Sequence, residues 1–320
     1  MHWLSRKSLL CFSLLFGVLI LAIRPISAGS KGLPPYLVVL GIAQDGGYPQ
    51  AGCRKSCCQR VFDGQQSGRF IASLAIVDPQ SGRRWLIDAT PDFREQLRLL
   101  DEIAPVPTSP GLAGIFLTHA HIGHYTGLMH LGREVMGSRR VPVYGMPRMH
   151  AFIRENGPWN LLVELHNIDL RRLAHQKPVL LADDLSVTPI LVPHRDEFSE
   201  TVGFLIRGPN RSALYIPDID KWERWKVRIE DLLSKVDVAF LDGTFFANGE
   251  IPGRNMSEIP HPFIVESMQR FASLPVSEKR KVRFIHLNHT NPALNRTGKA
   301  YHQILQAGLA VARQGEKVGL

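Results

Sequence analysis

FLTHAHIGHYTGL, residues 116–128, sets three imidazoles, His119, His121 and His124, within six positions directly behind the apolar run AGIF (113–116). On an α-helix, positions i and i+2 lie about 200° apart, so His119 and His121 could not grip one ion from inside a helix. In extended backbone at a strand end they point the same way, and both rings reach a single cation. His124 lies one short turn later, ahead of YTGLMHLGREVM (125–136), which reads as a helix. It projects into the neighbouring space, where a second ion could sit roughly 3.5–4 Å from the first. Thirteen histidines make single ones ordinary in this chain. Three in this pattern behind a strand are not.

A ligand set needs closing partners, and strand ends supply them. His194 ends ILVPH, Asp218 ends LYIPD, and His286 lies within FIHLNH. Around them the chain alternates β-type runs with helical stretches. YLVVLGIA (36–43), FIASLAIV (70–77), RRWLID (83–88) and AGIFLT (113–118) are short apolar runs bounded by Gly, Pro or Asp. PDFREQLRLLDEI (91–103) has helical spacing at Phe93, Leu97 and Leu100, with Pro91 suited to a first turn. The second half repeats the theme with strands at 185–193, 201–206, 212–218, 236–242 and 282–288, and a helical stretch at 220–236. Many strands with helices in both halves predict a layered α/β arrangement, two sheets sandwiched between helices.

Composition sets the outer bounds. At 320 residues, 44% hydrophobic and 8% aromatic, the chain is long enough for one large core or two joined halves, and disorder is not its default. Residues 1–30 stand apart: a basic start at Arg6 and Lys7, an apolar stretch from Leu9 to Ile23, then the small residues Ser27, Ala28 and Gly29. This is the layout of a secretory signal cleaved after Ala28, leaving a domain of residues 29–320 in the periplasm or outside the cell. The alternative is an uncleaved membrane anchor, for which a stretch near fifteen residues is short against a span of about 20; no stable span is expected after cleavage. Of the formal charge of +9, Arg6, Lys7 and Arg24 belong to the signal, leaving +6. That surplus is thinly spread, without a long basic block interleaved with aromatics, which argues against nucleic acid and for a solvated basic face or mild attraction for anionic substrates or envelope lipids; the partner expected is a small-molecule substrate.

Here the sequence resembles a family. A strand, HxHxxH, a later lone His, an Asp after an apolar strand and a final His near the C-terminus is similar to the metallo-β-lactamase fold, a four-layered αβ/βα sandwich holding one or two metals between its halves. Within it, VVLGIAQDGGYPQAGC (38–53), LIDATPDF (86–93), LYIPDID (214–220), FLDGTFF (240–246), IPHP (259–262) and HLNHTNP (286–292) resemble the coenzyme PQQ synthesis protein B group. The resemblance implies one metal position at His119, His121 and His194 and a second at His124 and His286, with Asp218 bridging. It implies that Asp88 steadies the histidine loop and that His261 is a substrate-facing or proton-donating residue, against the plainer reading of a turn residue between prolines.

Gly123 departs from the pattern. Hydrolases of this family read HxHxDH, with the Asp on the second metal, so the second position here is expected to keep at most His124, Asp218 and His286, with weaker binding or occupancy by one metal only. Three ligands could still hold zinc with an open position; manganese or iron are alternatives. A bound metal lowers the pKa of its water toward about 7, the nucleophile for an ester, phosphodiester or lactone, with Asp218 as candidate base. Two histidines and a carboxylate facing an open position are also the pattern of non-haem iron oxygenases. Relatives in PQQ synthesis are associated with a hydroxylating step, but the export signal argues for a diverged paralogue. A non-catalytic metal-binding protein is the third reading, supported by Gly123.

Of four cysteines, Cys11 belongs to the signal, and Cys53, Cys57 and Cys58 crowd into CRKSCC. Three thiols cannot all pair within one chain. The resemblance implies a structural zinc on these cysteines and His289, three residues after His286. Lys55 stands at the family's middle cysteine position, so Cys57 must substitute from a shifted place. A disulfide from Cys53 to Cys57 or Cys58 is the alternative.

Overall fold

A computed structural model describes residues 33–107 and 111–320; the expected signal segment, 1–28, lies outside them. In chain order its strands are β1 (Tyr36–Gly41), β2 (Ser73–Asp78), β3 (Arg83–Ile87), β4 (Gly114–Phe116), β5 (Val141–Gly145), β6 (Ile168–Arg172), β7 (Val179–Ala182), β8 (Leu185–Leu191), β9 (Val202–Arg207), β10 (Ser212–Ile216), β11 (Val238–Asp242), β12 (Val282–Ile285), β13 (Ala310–Val311) and β14 (Lys317–Gly319). They form two seven-stranded sheets, ordered β14-β1-β2-β3-β4-β5-β6 and β13-β12-β11-β10-β9-β8-β7. Each sheet changes from antiparallel pairs to parallel ones: at β3 in the first and at β10 in the second.

The period of two along each strand explains the layers. On β1, Leu37 and Val39 face the core between the sheets. Val38 and Leu40 turn to the outer layer, which they share with Phe93 and Leu100 of the helix Phe93–Ile103, packed over β1, and with Met149 and Ile153 of the helix Pro147–Glu155, packed over β5 and β6. Central strands such as β2 and β11 are buried along their whole length, which is why they read as nearly continuous apolar runs. On the other side, Ile229, Leu233, Ile264 and Ile304, from the helices Ile229–Leu233, Ile264–Arg270 and Lys299–Gln306, join the core of the second sheet. The result is the four-layered αβ/βα sandwich expected from the sequence. Among the described residues, no helix is long and apolar enough to cross a membrane.

Two helical expectations are corrected. The stretch 125–136 is not one helix: an α-turn at Ile122–Tyr125 passes into a 3-10 segment at Thr126–Leu131. Gly127 causes this, because its N–H donates to Ala89 O and a Cβ there would lie 2.2 Å from Thr90 O, pinning the segment against the 89–90 backbone. The stretch 220–236 likewise splits into a 3-10 turn, Trp222–Arg224, and the helix Ile229–Leu233. Its two indoles are drawn to different partners, Trp222 Nε1 to Ser267 Oγ and Trp225 Nε1 to the Leu191 carbonyl.

Across the interface between the sheets, Phe204 of β9 meets Phe116 of β4 edge-on, with centroids 5.8 Å apart, and Phe116 stacks on Tyr144 of β5. Phe204→Ala is expected to cost about 3–5 kcal/mol by leaving a cavity at this junction; equilibrium denaturant unfolding of the full chain measures it.

Candidate metal centre

Strand exits deliver the site. Asp88 follows β3, His119 follows β4, His194 follows β8, Asp218 follows β10, and His286 follows β12, so the chemistry collects at the carboxyl ends of strands from both sheets. Asp88 and His286 hold φ of 68° and 65°, a left-handed conformation costing a non-glycine residue about 1–3 kcal/mol. Both make the turn that brings a side chain to the donor cluster, Asp88 to His124 and His286 to Asp218.

Two groups of donors result. His119, His121 and His194 form one, with His119 Nε2 and His121 Nδ1 2.9 Å apart. His124, His286 and Asp218 form the other, joined by a residue the sequence reading missed, Asp45. Asp218 reaches both: Oδ2 lies 2.9 Å from His124 Nε2, 3.2 Å from His286 Nε2 and 3.6 Å from His119 Nε2, while Oδ1 lies 3.9 Å from His194 Nε2. Donors on a tetrahedron about 2.05 Å from its centre are about 3.3 Å apart, which these separations bracket. The nitrogens His124 Nε2 and His194 Nε2 are buried without an aligned hydrogen-bond partner. Buried polar nitrogens so placed suit ligands of a cation.

The far side of each ring faces oxygen. Thr118 Oγ1 donates to Asp88 and lies 3.0 Å from His119 Nδ1; a hydroxyl whose proton points at Asp88 accepts from Nδ1–H, leaving Nε2 as the ligand nitrogen. Thr244 repeats this in the second half, donating to Asp242 at 2.7 Å and facing His286 Nδ1 at 3.0 Å. Asp88 Oδ2 lies 2.7 Å from His124 Nδ1. Glu197 meets His121 Nε2 at 3.1 Å, and Asp220 faces His194 Nδ1 at 3.4 Å. Such partners orient a ligand ring and raise its basicity. Asp45, Asp220 and Asp242 lie in stretches that carry the resemblance but receive no role from it, and Glu197 lies in none; for Asp242 the available signal was the likeness of FLDGT to LIDAT.

Charge follows geometry. Burial, with His124 adding to it, holds His119 well below the ordinary histidine value, so its ring is neutral as a ligand must be. Burial opposes ionisation of Asp218, but His286, His124 and His194 outweigh it and keep the carboxyl well below its usual range. The same holds for Asp45, where His124 and His286 outweigh burial. His261 sits beside both groups, with Nδ1 2.7 Å from Asp242 Oδ2 and 3.5 Å from Asp218 Oδ1. Burial disfavours its charged form, yet Asp242 first and Asp218 next push it up to about 9. It lines a cleft of about 440 Å³ with Gln44, Asp45, Arg195, Arg254 and Asn288.

The cysteines meet as a third group: Cys53, Cys57, Cys58 and His289. Cys57 enters from the first turn of the helix Ser56–Phe62, the shifted place required by Lys55. All three thiols are free, with Cys53 and Cys57 sulfurs 3.8 Å apart, and His289 Nδ1 is buried without a partner. Burial is the main cause pushing the Cys58 thiol up to about 12, so a cation there would have to supply the charge that releases its proton.

Over most of its length the chain is similar to proteins called coenzyme PQQ synthesis protein B: 29% identical to that of Xanthomonas axonopodis pv. citri (89% of this chain, 99% of the relative) and 28% to that of Klebsiella pneumoniae (89% and 98%). Among solved structures it resembles Zn(2+)-bound PqqB from Methylobacterium extorquens, with TM-score 0.76, 23% identity, and coverage of 89% of this chain and 100% of that one. It also resembles a diphosphatase of the PhnP family, with TM-score 0.60, 23% identity, and coverage of 90% and 98%. With residues 83–287 matching the family described as beta-lactamase superfamily domain, and with two sheets carrying histidine and aspartate donors at their shared rim, the chain belongs to that superfamily and has the metallo-β-lactamase fold.

Proposed function

We propose that this chain is an exported metal-dependent hydrolase of small molecules, with zinc as its metal. The observation that carries the reading is Asp218, one buried carboxylate within 3.9 Å of ligand nitrogens in both donor groups. Imidazole and carboxylate donors at these separations suit zinc. His119, His121 and His194 on one side and His124 and His286 on the other would hold divalent ions together with Asp218, and such ions would supply Lewis acidity and an acidified water. The chain's own residues do the rest. Asp218 and the oriented imidazoles fix where the reacting group lies. Asp242 holds Nδ1 of His261 and leaves Nε2 as the nitrogen that can give a proton to a departing oxygen.

The cleft's size suits a small ligand. Arg195 and Arg254 in its lining favour the anionic member of the ester, phosphodiester and lactone set, the phosphodiester. The second donor group combines two imidazoles with two carboxylates, which favours hydrolysis over an oxygenase centre of two histidines and one carboxylate. It equally weakens the non-catalytic reading that Gly123 invites, since no carboxylate is missing in number.

His121→Ala is expected to empty the first position and cut turnover of chromogenic phosphodiesters by at least about a hundredfold, about 2.7 kcal/mol in barrier, while the cysteine-bound ion stays; elemental analysis and initial rates check both. An unchanged rate rejects the hydrolase reading.

Because His261 titrates at about 9 when folded and near 6.5 when unfolded, its pair with Asp242 stabilises the metal-free fold fully below about pH 6.5 and loses that contribution as pH rises through about 9. The melting temperatures of metal-free wild type and Asp242→Asn are therefore expected to converge between about pH 6.5 and pH 9.5.

Export is checked by mass spectrometry of the periplasmic or secreted protein, whose first residue is expected to be Gly29; a cell-retained chain keeping residues 1–28 contradicts it.

A further inference from the structure

We propose that Asp45 is a ligand of the second metal position, delivered by the loop after β1 in place of the aspartate missing at residue 123, and that Gly123 is a glycine because Asp45 occupies its side-chain space. This rests on the metal reading above.

Three independent observations meet here. The first is donor geometry. Asp45 Oδ1 lies 3.2 Å from His124 Nε2 and 3.2 Å from His286 Nε2, the two nitrogens that Asp218 Oδ2 also approaches. The rings of His124 and His286 stack, with centroids 5.3 Å apart, presenting both nitrogens to the same point. Neither Asp45 nor Asp218 meets His124 Nε2 in hydrogen-bond alignment, although both are close. Two carboxylates beside two imidazoles give this position the negative charge that suits a divalent cation.

The second is steric exclusion. A Cβ on residue 123 would lie 2.4 Å from Asp45 Oδ1 and 2.7 Å from its Cα. A backbone atom cannot swing aside as a side-chain tip can, so an aspartate at 123 and Asp45 in its present place are incompatible. The loss of one carboxylate and the arrival of the other are a single exchange.

The third is the rigidity of the loop. Gln44 N–H donates to the Leu287 carbonyl at 2.9 Å, tying the residue before Asp45 to the residue after His286. Ala43 N–H donates to Phe70 O at 2.9 Å, and the turn closes with Gly47 N–H on Gln44 O at 2.7 Å, with φ of +70° at Gly47. A glycine meets that turn's demand, and Asp45 is left fixed over the second position.

The test is cobalt binding to the full chain, titrated against buffered free Co²⁺ and read by absorbance and elemental analysis, with the metal-free melting temperature as a folding control. Wild type is expected to bind two ions at the histidines besides the cysteine-bound one. Asp45→Ala and the near-isosteric Asp45→Asn are expected to weaken one of the two by at least about tenfold. Gly123→Ala, which removes no donor, is expected to weaken the same ion by displacing Asp45. His121→Ala weakens the other. A folded Asp45→Asn and Asp45→Ala that bind both ions as wild type does overturn the inference and leave the hydrolase reading standing, as does a wild type holding one ion at the histidines. No ion at the histidines overturns both.

Discussion

A carboxylate almost wholly removed from water is the constraint around which this molecule is arranged. Burying an ionised Asp218 costs several kcal/mol unless opposite charge or hydrogen-bond donors surround it. Here the surroundings are five imidazoles from four separate places in the sequence, His119 and His124 from one loop, then His194, His261 and His286. Two sheets must therefore present their strand ends to one another at a fixed distance. The inter-sheet core, with Phe116 against Phe204, sets that distance, so apolar packing and site geometry are one problem solved by one interface.

The two halves meet this demand with the same local device. In the first, Asp88 at the exit of β3 accepts from Thr118, which faces His119, while the same Asp holds His124. In the second, Asp242 at the end of β11 accepts from Thr244, which faces His286, while the same Asp holds His261. In both, a buried carboxylate fixes a threonine proton, the threonine fixes a ring tautomer, and a second ring is bound directly. The strained residues Asp88 and His286 belong to this device. Conformational strain of that kind persists only where surrounding hydrogen bonds over-determine it.

The sandwich was legible because strands buried on both faces leave long apolar runs, and because HxHxxH behind such a run has few other physical uses. His194, Asp218 and His286 were legible as strand-end residues, and their company gave them meaning. Asp45 was not, since nothing local in QDGG distinguishes a ligand from a turn. Its trace lay instead at Gly123: a missing side chain in a metal loop can mean that the space is already filled. The helices expected at 125–136 and 220–236 were misread because Gly127 and the two tryptophans answer to tertiary partners, which outweigh local periodicity.

The cysteine cluster gains its meaning from the same loop. Asp45 and Cys53 bracket one short segment, His286 and His289 another, and the four donors Cys53, Cys57, Cys58 and His289 join the far ends of both. Between them, Gln50 N–H points to the Cys58 sulfur at 3.4 Å, Cys53 N–H donates to Gln50 O, and Tyr48 Oη donates to the Cys57 carbonyl at 2.8 Å. Closing a disulfide from 3.8 Å to about 2.05 Å would pull one thiol pair together and abandon the third cysteine and His289. A cation shared by all four would satisfy each donor where it already stands. It would also clamp the two segments whose near ends carry Asp45 and His286, so that order at the sulfur site would become order among the donors of the histidine centre.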